Sequence, residues 1–261
     1  MESAVSEEDT REEEKMRREN VSVCMACYNG EAYIKEQIES ILPQLIEGDE
    51  LIVIDDGSAD QTAEIVLEIK DTRIKYYRNS SNAGVNKSFE RGIAMAKNDY
   101  IFMADQDDIW TEGRLDRMLE KLQQGSLLVS GNSVTIDAKG EKSDYILGDL
   151  LAGDSKQYSK NIIRIFTGKA YYYGCAMAFR KKLNSVILPF PDYIESHDLW
   201  IAMAANMLKS NVHLEETVLK RRIHGKNASV VQRKLTEKLY ARWIFLKSYV
   251  VLKRRISKNE I

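Results

Sequence analysis

Two periodicities alternate through the first half of the chain. Short runs rich in apolar and aromatic residues lie at Val21 to Cys27, Leu51 to Ile54, Arg73 to Tyr77 and Tyr100 to Ala104. Between them, apolar residues recur every three or four positions. Glu31 to Leu45 places Ile34, Ile38, Ile41 and Leu45 on one helical face, and Ala59 to Ile69 and Val85 to Ala96 repeat the pattern. A run that is apolar at every position, such as Leu51 to Ile54, is expected of a strand buried on both faces. Strand–helix alternation of this kind predicts an α/β fold, with a Rossmann-like, mostly parallel mixed sheet flanked by helices. Ligands in such sheets bind beyond the carboxyl ends of the strands. Those ends carry Tyr28, the pair Asp55-Asp56 and the run Asp105-Gln106-Asp107-Asp108, so three polar clusters are expected on one rim.

After Leu122 the pattern loosens. Leu127 to Ile136 and Tyr172 to Phe179 read as strands, and Gly148 to Lys160 as a polar stretch without an element. A helix is expected from about Asp198 to Leu208, and a basic one from about Gln232 to Arg254. Met1 to Asn20 is charged and aperiodic, a frayed helix or disordered arm. The expected division is therefore an arm over 1–20, a catalytic-sized unit over 21–230 with halves at 21–123 and 124–230, and a basic amphipathic C-terminal helix over 231–261. No internal repeat is visible.

Composition changes this picture little. Hydrophobic content of 44% and three prolines suit a packed protein. The net charge of −2 hides an asymmetry, because Lys220 to Ile261 holds thirteen Lys and Arg against two Glu. A basic end of this kind suits an anionic surface or a phosphate-bearing ligand, or is simply a solvated helix face. No nucleic-acid partner is expected. Three cysteines, an odd number, make no disulfide framework. Cys24 and Cys27 have C-x-x-C spacing but fall inside a predicted strand, where they read as small core residues rather than a redox or zinc pair. The N-terminus is charged where a signal peptide is apolar, and no run reaches the ~18 apolar residues of a membrane span. A cytoplasmic location is expected, at most peripheral on the cytoplasmic face of a membrane.

The carboxylates carry the chemistry. Three acids within Asp105 to Asp108 repel one another unless a cation or protons neutralise them. In an extended segment, i and i+2 share a face, so Asp105 and Asp107 can reach one hard ion such as Mn²⁺ or Mg²⁺. The competing reading is an acidic turn with Asp108 capping the next helix. Asp55-Asp56-Gly57-Ser58 is either a capping turn or, through Asp56, an acceptor for the N–H of a pyrimidine ring. Tyr28 can stack on such a base or be a rim aromatic.

These segments occur in a telling order. Val21-Ser22-Val23 through Cys27-Tyr28-Asn29-Gly30, Asp55 through Thr62, Asn82-Ala83-Gly84 and Asp105-Gln106-Asp107-Asp108-Ile109-Trp110 are followed by Gly174-Cys175, His197-Asp198-Leu199-Trp200 and Arg222 through Ser229. The set resembles the motifs of family 2 glycosyltransferases with the GT-A fold, particularly the branch containing bacterial rhamnosyltransferases, over about Val21 to Ser229. The resemblance implies an inverting, metal-dependent transfer from a nucleotide diphosphate sugar. It favours dTDP-rhamnose as donor, with UDP-hexoses next, and a glycan or lipid-linked glycan of a bacterial surface polysaccharide as acceptor.

By the same resemblance Asp56 binds the pyrimidine, Tyr28 flanks it and Ala26 contributes its backbone. Asp105 and Asp107 form the D-x-D metal site, Gln106 lies beside the donor, and Asp198 is the base that deprotonates the acceptor hydroxyl. His224 contacts the diphosphate or the metal. Arg114 stands where Lys is usual, and Lys220-Arg221 where Tyr-Arg is common, so both departures keep positive charge nearby. Asn82, Gly84 and Asn86 open a helix whose N-terminus can meet the donor's sugar or phosphates. Asp198 reads otherwise as a helix cap, His197 as its orienting partner or a structural residue, and Trp110 as core or sugar platform. A sugar nucleotidyltransferase is the main rival, although such enzymes open with a glycine-rich loop and only Gly30 stands here. A non-catalytic binding module is the second rival. In the basic tail, Leu239, Trp243, Leu246 and Val250 form one helical stripe, which either packs on the rest of the protein or lies in a membrane interface.

Overall fold

The computed structural model describes residues 18–224 and 234–259. The charged arm expected over 1–20 lies mostly outside these residues, as does the segment Gly225 to Ser229. A single eight-stranded sheet runs in the order β3-β2-β1-β4-β7-β6-β8-β5. Its parallel half comprises β1 (Val21–Cys27), β2 (Glu50–Asp55), β3 (Ile74–Arg78) and β4 (Tyr100–Asp105). The second half comprises β5 (Ile109–Trp110), β6 (Leu128–Ile136), β7 (Met177–Arg180) and β8 (Asn211–Arg222), where β7 runs antiparallel to β4 and β6. The helices are α1 (Ile34–Ile41), α2 (Thr62–Glu68), α3 (Val85–Met95), α4 (Arg114–Gln123), α5 (Tyr158–Thr167), α6 (Asn184–Ile187), α7 (His197–Met207) and α8 (Leu235–Lys258).

The all-apolar strands lie inside because both of their faces are covered. Val21, Val23, Met25 and Cys27 of β1 point into a core shared with α1 and α4, while Cys24 and Ala26 point into a second core with α3. The same two-residue alternation splits Leu51 and Val53 from Ile52 and Ile54. Cys24 and Cys27 are therefore core residues, and burial pushes both thiols well above their ordinary pKa.

The second half departs from expectation in three places. Tyr172 to Phe179 is a strand only from Met177, because Gly174–Ala176 is a 3₁₀ turn closed by Ala176 N–H donating to Tyr173 O. Tyr158–Thr167 is a helix at the end of a stretch that reads as polar. The twelve-residue β8 breaks the apolar alternation with buried Asn211 and His213 and with the exposed pair Glu215-Glu216, where its pairing with β6 shifts register. Asn211 Nδ2 donates to Tyr172 OH at 3.0 Å and His213 packs against the same ring, while Asn211 Oδ1 has no hydrogen-bond partner among the described residues.

Helix α8 packs through Ile244, Ser248 and Leu252, while Leu239, Trp243, Leu246 and Val250 stand exposed on its opposite side. No helix among the described residues is long and apolar enough to cross a membrane.

Candidate functional site

Strand register brings the three polar clusters together. Ala26 lies opposite Asp105 and Cys27 opposite Asp55, so the chain leaves β1, β2 and β4 at one level. The turns that follow are tied to one another. Asn29 N–H donates to Ser58 Oγ at 2.9 Å, Gly30 N–H to Thr62 Oγ1 at 2.8 Å, and Ala59 N–H to Asn29 Oδ1 at 2.8 Å. Gln106 grips the Tyr28 backbone from both sides, accepting its N–H at 2.7 Å and donating to its carbonyl at 3.1 Å. A β-carbon on Gly30 would fall 2.3 Å from Gln106 Oε1, so this clamp requires glycine there. Tyr28 remains 45% exposed at this rim.

Asp55 and Asp56 are both buried but have different duties. Asp55 accepts from Ser58 N–H and from Tyr76 OH, which fixes the turn. Asp56 accepts from Asn79 Nδ2 at 2.7 Å, Ala83 N–H at 2.9 Å and Gly84 N–H at 2.8 Å. A carboxylate has about four acceptor positions, so one on Oδ2 remains. The Asn82 side chain is exposed beside this loop, and Gly84 holds φ +91°, a conformation that favours glycine.

The acidic run sits at the end of β4. Gln37, fully buried on α1, donates to Asp105 O at 2.8 Å and so anchors the strand end. Asp107 Oδ2 lies 2.9 Å from His224 Nε2. The buried Asp108 accepts Arg222 N–H at 3.0 Å, and Arg222 Nε donates to Asp107 O at 3.0 Å, joining the run to the end of β8. Asp108 does not cap α4, whose N-cap is Gly113. Arg114 forms the floor. It is fully buried, its guanidinium lies 4.0 Å from the Trp110 ring centroid, and it donates to the carbonyls of Met103 and Cys175. Trp110 is thereby a core residue, 4% exposed.

Burial, then the charge of Asp107, raises the pKa of Asp105. The same two causes, in that order, push Asp108 up to about 8. Arg114, pushed down to about 9 by burial, stays cationic at neutral pH. Side-chain atoms of Asp105, Asp108 and Cys175 approach within 4.8 Å of one another. Asp108 Oδ2 is buried with no hydrogen-bond partner among the described residues. This donor set fits a divalent cation: clustered carboxylates are short of positive charge, and hard ions select oxygen. Burial and the neighbouring acids raise the Cys175 thiol well above its usual pKa, so the carboxylates are the ligands that fit.

Asp198 lies in the first turn of α7. Ser196 caps that helix, accepting from Leu199 N–H at 3.5 Å, and Asp198 Oδ1 accepts the same N–H at 2.7 Å. Its pKa is pushed up to about 6, chiefly by burial, against the lowering effects of the Leu199 amide and the Arg221 charge. The charge of Asp198 is the smallest of the influences on Asp105, so the two carboxylates lie within electrostatic reach of each other.

Asn86 fixes the approach. Its Nδ2 donates to Ile194 O at 3.0 Å, leaving Oδ1 to accept from His197 N–H at 3.1 Å and His197 Nδ1 at 3.0 Å. His197 therefore carries its proton on Nδ1 and presents a bare Nε2, and burial lowers its pKa to about 4. A β-carbon on Gly174 would lie 2.5 Å from that Nε2. Gly174→Ala is expected to cost about 1–3 kcal/mol, as overpacking does, read as a lower urea midpoint. An unchanged midpoint would show that His197 has room to move.

Sequence reasoning did not find Gln37 or the Glu36–Arg222 ion pair, and it noted Arg221 only as a nearby positive charge; the Arg221 guanidinium lies 4.2 Å from the Tyr173 ring centroid. Their partners are 48–186 residues away, and no local pattern encodes that.

Comparison with known proteins shows the family and the fold. The chain is 28% identical over 218 residues to an uncharacterized glycosyltransferase of Rickettsia felis, covering 80% of this chain and 35% of that protein. It thus spans only about a third of that relative's length. It is 30% identical over 186 residues to WfgD of Escherichia coli, named as UDP-Glc:alpha-D-GlcNAc-diphosphoundecaprenol beta-1,3-glucosyltransferase, covering 70% of this chain and 69% of that one. Glucosyl-3-phosphoglycerate synthase from Mycobacterium tuberculosis, solved with Mn²⁺, UDP and glucosyl-3-phosphoglycerate, superposes with TM-score 0.57 at 18% identity, covering 92% and 82% of the two chains. That likeness establishes the shared GT-A fold. The glycosyl transferase family 2 model matches residues 22–188, and the chain belongs to that family.

Proposed function

We propose that the protein transfers a hexose, with inversion, from a pyrimidine nucleotide diphosphate sugar to an acceptor hydroxyl. The observation that carries the reading is Asp198, a carboxylate in the first turn of α7 whose pKa burial raises and whose charge is felt by Asp105. Tyr28 offers an exposed aromatic side chain and Asp56 one remaining acceptor position, which suits the ring and N–H of a uracil or thymine base. The helix N-terminus after Gly84 faces donor oxygens with its backbone amides. A divalent cation at the acidic run, on Asp105 with Asp107 as the motif implies and with the clustered Asp108 in reach, would neutralise charge on the departing diphosphate. Ionised Asp198 takes the acceptor proton as the oxygen attacks the anomeric carbon from the face opposite the leaving group. One displacement inverts that carbon. Neutral His197, locked by Asn86, keeps the first turn of α7 in place.

UDP-glucose is the first donor to test, because WfgD is named for it and covers most of this chain. dTDP-rhamnose, favoured by the motif resemblance, is the second. The full chain is incubated with each donor, Mn²⁺ and a GlcNAc-diphospho-lipid acceptor, and UDP or dTDP release is followed with product configuration by NMR. Inverted product, lost on chelation, is expected. A retained configuration would refute Asp198 as base. Absence of both turnover and donor-induced thermal stabilisation would refute the donor class.

A further inference from the structure

We infer that the outward face of α8 is a docking surface for an anionic lipid bilayer. Leu239, Tyr240, Trp243, Leu246, Tyr249 and Val250 are six of the fifteen large apolar side chains that stand exposed among the described residues. At about 100° per residue, Leu239, Trp243, Leu246 and Val250 fall within roughly 60° of arc, on the side opposite the packed Ile244, Ser248 and Leu252. A ridge of this length, solvent-facing on a folded protein, marks an interaction site.

The flanks identify the occupant. The helix holds seven Lys and Arg against Glu237 alone. Exposed Lys253 lies on one side of the ridge, and exposed Lys247 and Arg254 on the other. Arg255 is spent on the fold, donating to the carbonyls of Val186, Ile187 and Pro189. An apolar ridge with cations on both shoulders matches acyl chains beneath anionic headgroups. A second copy of this face would set like charges against like. Arg242 anchors α8 to α5 by donating to Thr167 O at 2.8 Å, so the ridge is held rigidly on the protein. A cleft of about 100 Å³ between α7 and α8 is walled by Ser196 and Leu199, which flank Asp198 in the chain. The inference stands apart from the proposed activity, since vesicle binding needs no turnover.

The test uses the full chain with vesicles of phosphatidylglycerol and phosphatidylethanolamine, against vesicles of phosphatidylcholine alone. Trp110 and Trp200 are buried and Trp243 is 53% exposed, so a blue shift on vesicle addition reports Trp243. Expected are retention on the anionic vesicles with a blue shift, and weak retention on phosphatidylcholine. Lys253→Glu/Arg254→Glu should weaken binding about tenfold or more, and Leu239→Ser/Leu246→Ser by a similar factor. Leu67→Ser, at an exposed leucine on α2, is the control and should bind as the parent does. Circular dichroism melts confirm that each variant is folded. Equal retention of the parent and both α8 variants would overturn the inference. So would a concentration-dependent dimer, abolished by Leu239→Ser/Leu246→Ser, in a protein that ignores vesicles.

Discussion

Asp198→Asn is expected to lower turnover by about 10²–10⁴-fold, the range for loss of a general base, while making the protein more stable. The gain follows from the sign of the shift. Burial raises the Asp198 pKa from 3.8 to about 6, so the folded state binds its proton more tightly than the unfolded state. Stability therefore falls as pH rises from about 4 to about 6, and ionised Asp198 is a standing cost above that window. Asn keeps an oxygen for the Leu199 amide and removes the charge. At pH 8 a gain of about 1–2 kcal/mol is expected, below the full value of the shift because the carboxylate is partly solvated. At pH 4 the two proteins should melt together. The parent's kcat/KM should rise with pH to a plateau above about 6. Equal activity of Asp198→Asn and parent, or a variant less stable at pH 8, would remove Asp198 from the role of buried base.

Arg114→Met is expected to destabilise the fold by about 3–5 kcal/mol, as does removal of one member of a buried charge cluster. Two losses combine. The carbonyls of Met103 and Cys175 lose their donor, and Asp105 and Asp108 lose the cation beneath them. Measurements belong in chelator, so that no added ion substitutes for the guanidinium. Arg114→Met/Asp108→Asn should recover part of the loss, because the second change removes an acid that the first leaves uncompensated. Arg114→Lys should fall between, since an ammonium keeps the charge but lacks the planar fork that meets two carbonyls at once. A loss under 1 kcal/mol for Arg114→Met would show that the acids are neutral without it.

What could be read from residues alone follows from what is local. The ends of β1, β2 and β4 were visible because an uninterrupted apolar run stops at a polar cluster, and strand polarity then places Tyr28, Asp56 and Asp105 on one rim. The D-x-D run announced itself because like charges do not gather without a counter-charge. That counter-charge was only half visible: Arg114 was noted as a cation near the site, but its burial under Trp110 is tertiary. Asn86 looked like part of a donor-facing turn, whereas its side chain is occupied by Ile194 and His197, 108 and 111 residues downstream. Strand β8 was hidden by the buried polar residues that its register shift accommodates. In α8 both faces are apolar, so the stripe at Leu239, Trp243, Leu246 and Val250 gave no hint which face the protein would keep. Packing went to Ile244, Ser248 and Leu252.

The Asn86 amide acts as a pin between two parts of the chain that, in the proposed reaction, serve different reactants. One end belongs to the helix opened by the Gly84 turn, the other to the segment that delivers Asp198. Neither part can drift through evolution without the other. Replacement by Asp would set a carboxylate against the Ile194 carbonyl, and by Leu would leave His197 without its orienting acceptor. Variation is therefore free to accumulate at exposed positions such as Asn82, while position 86 and residues 194–197 are expected to change together or stay as they are.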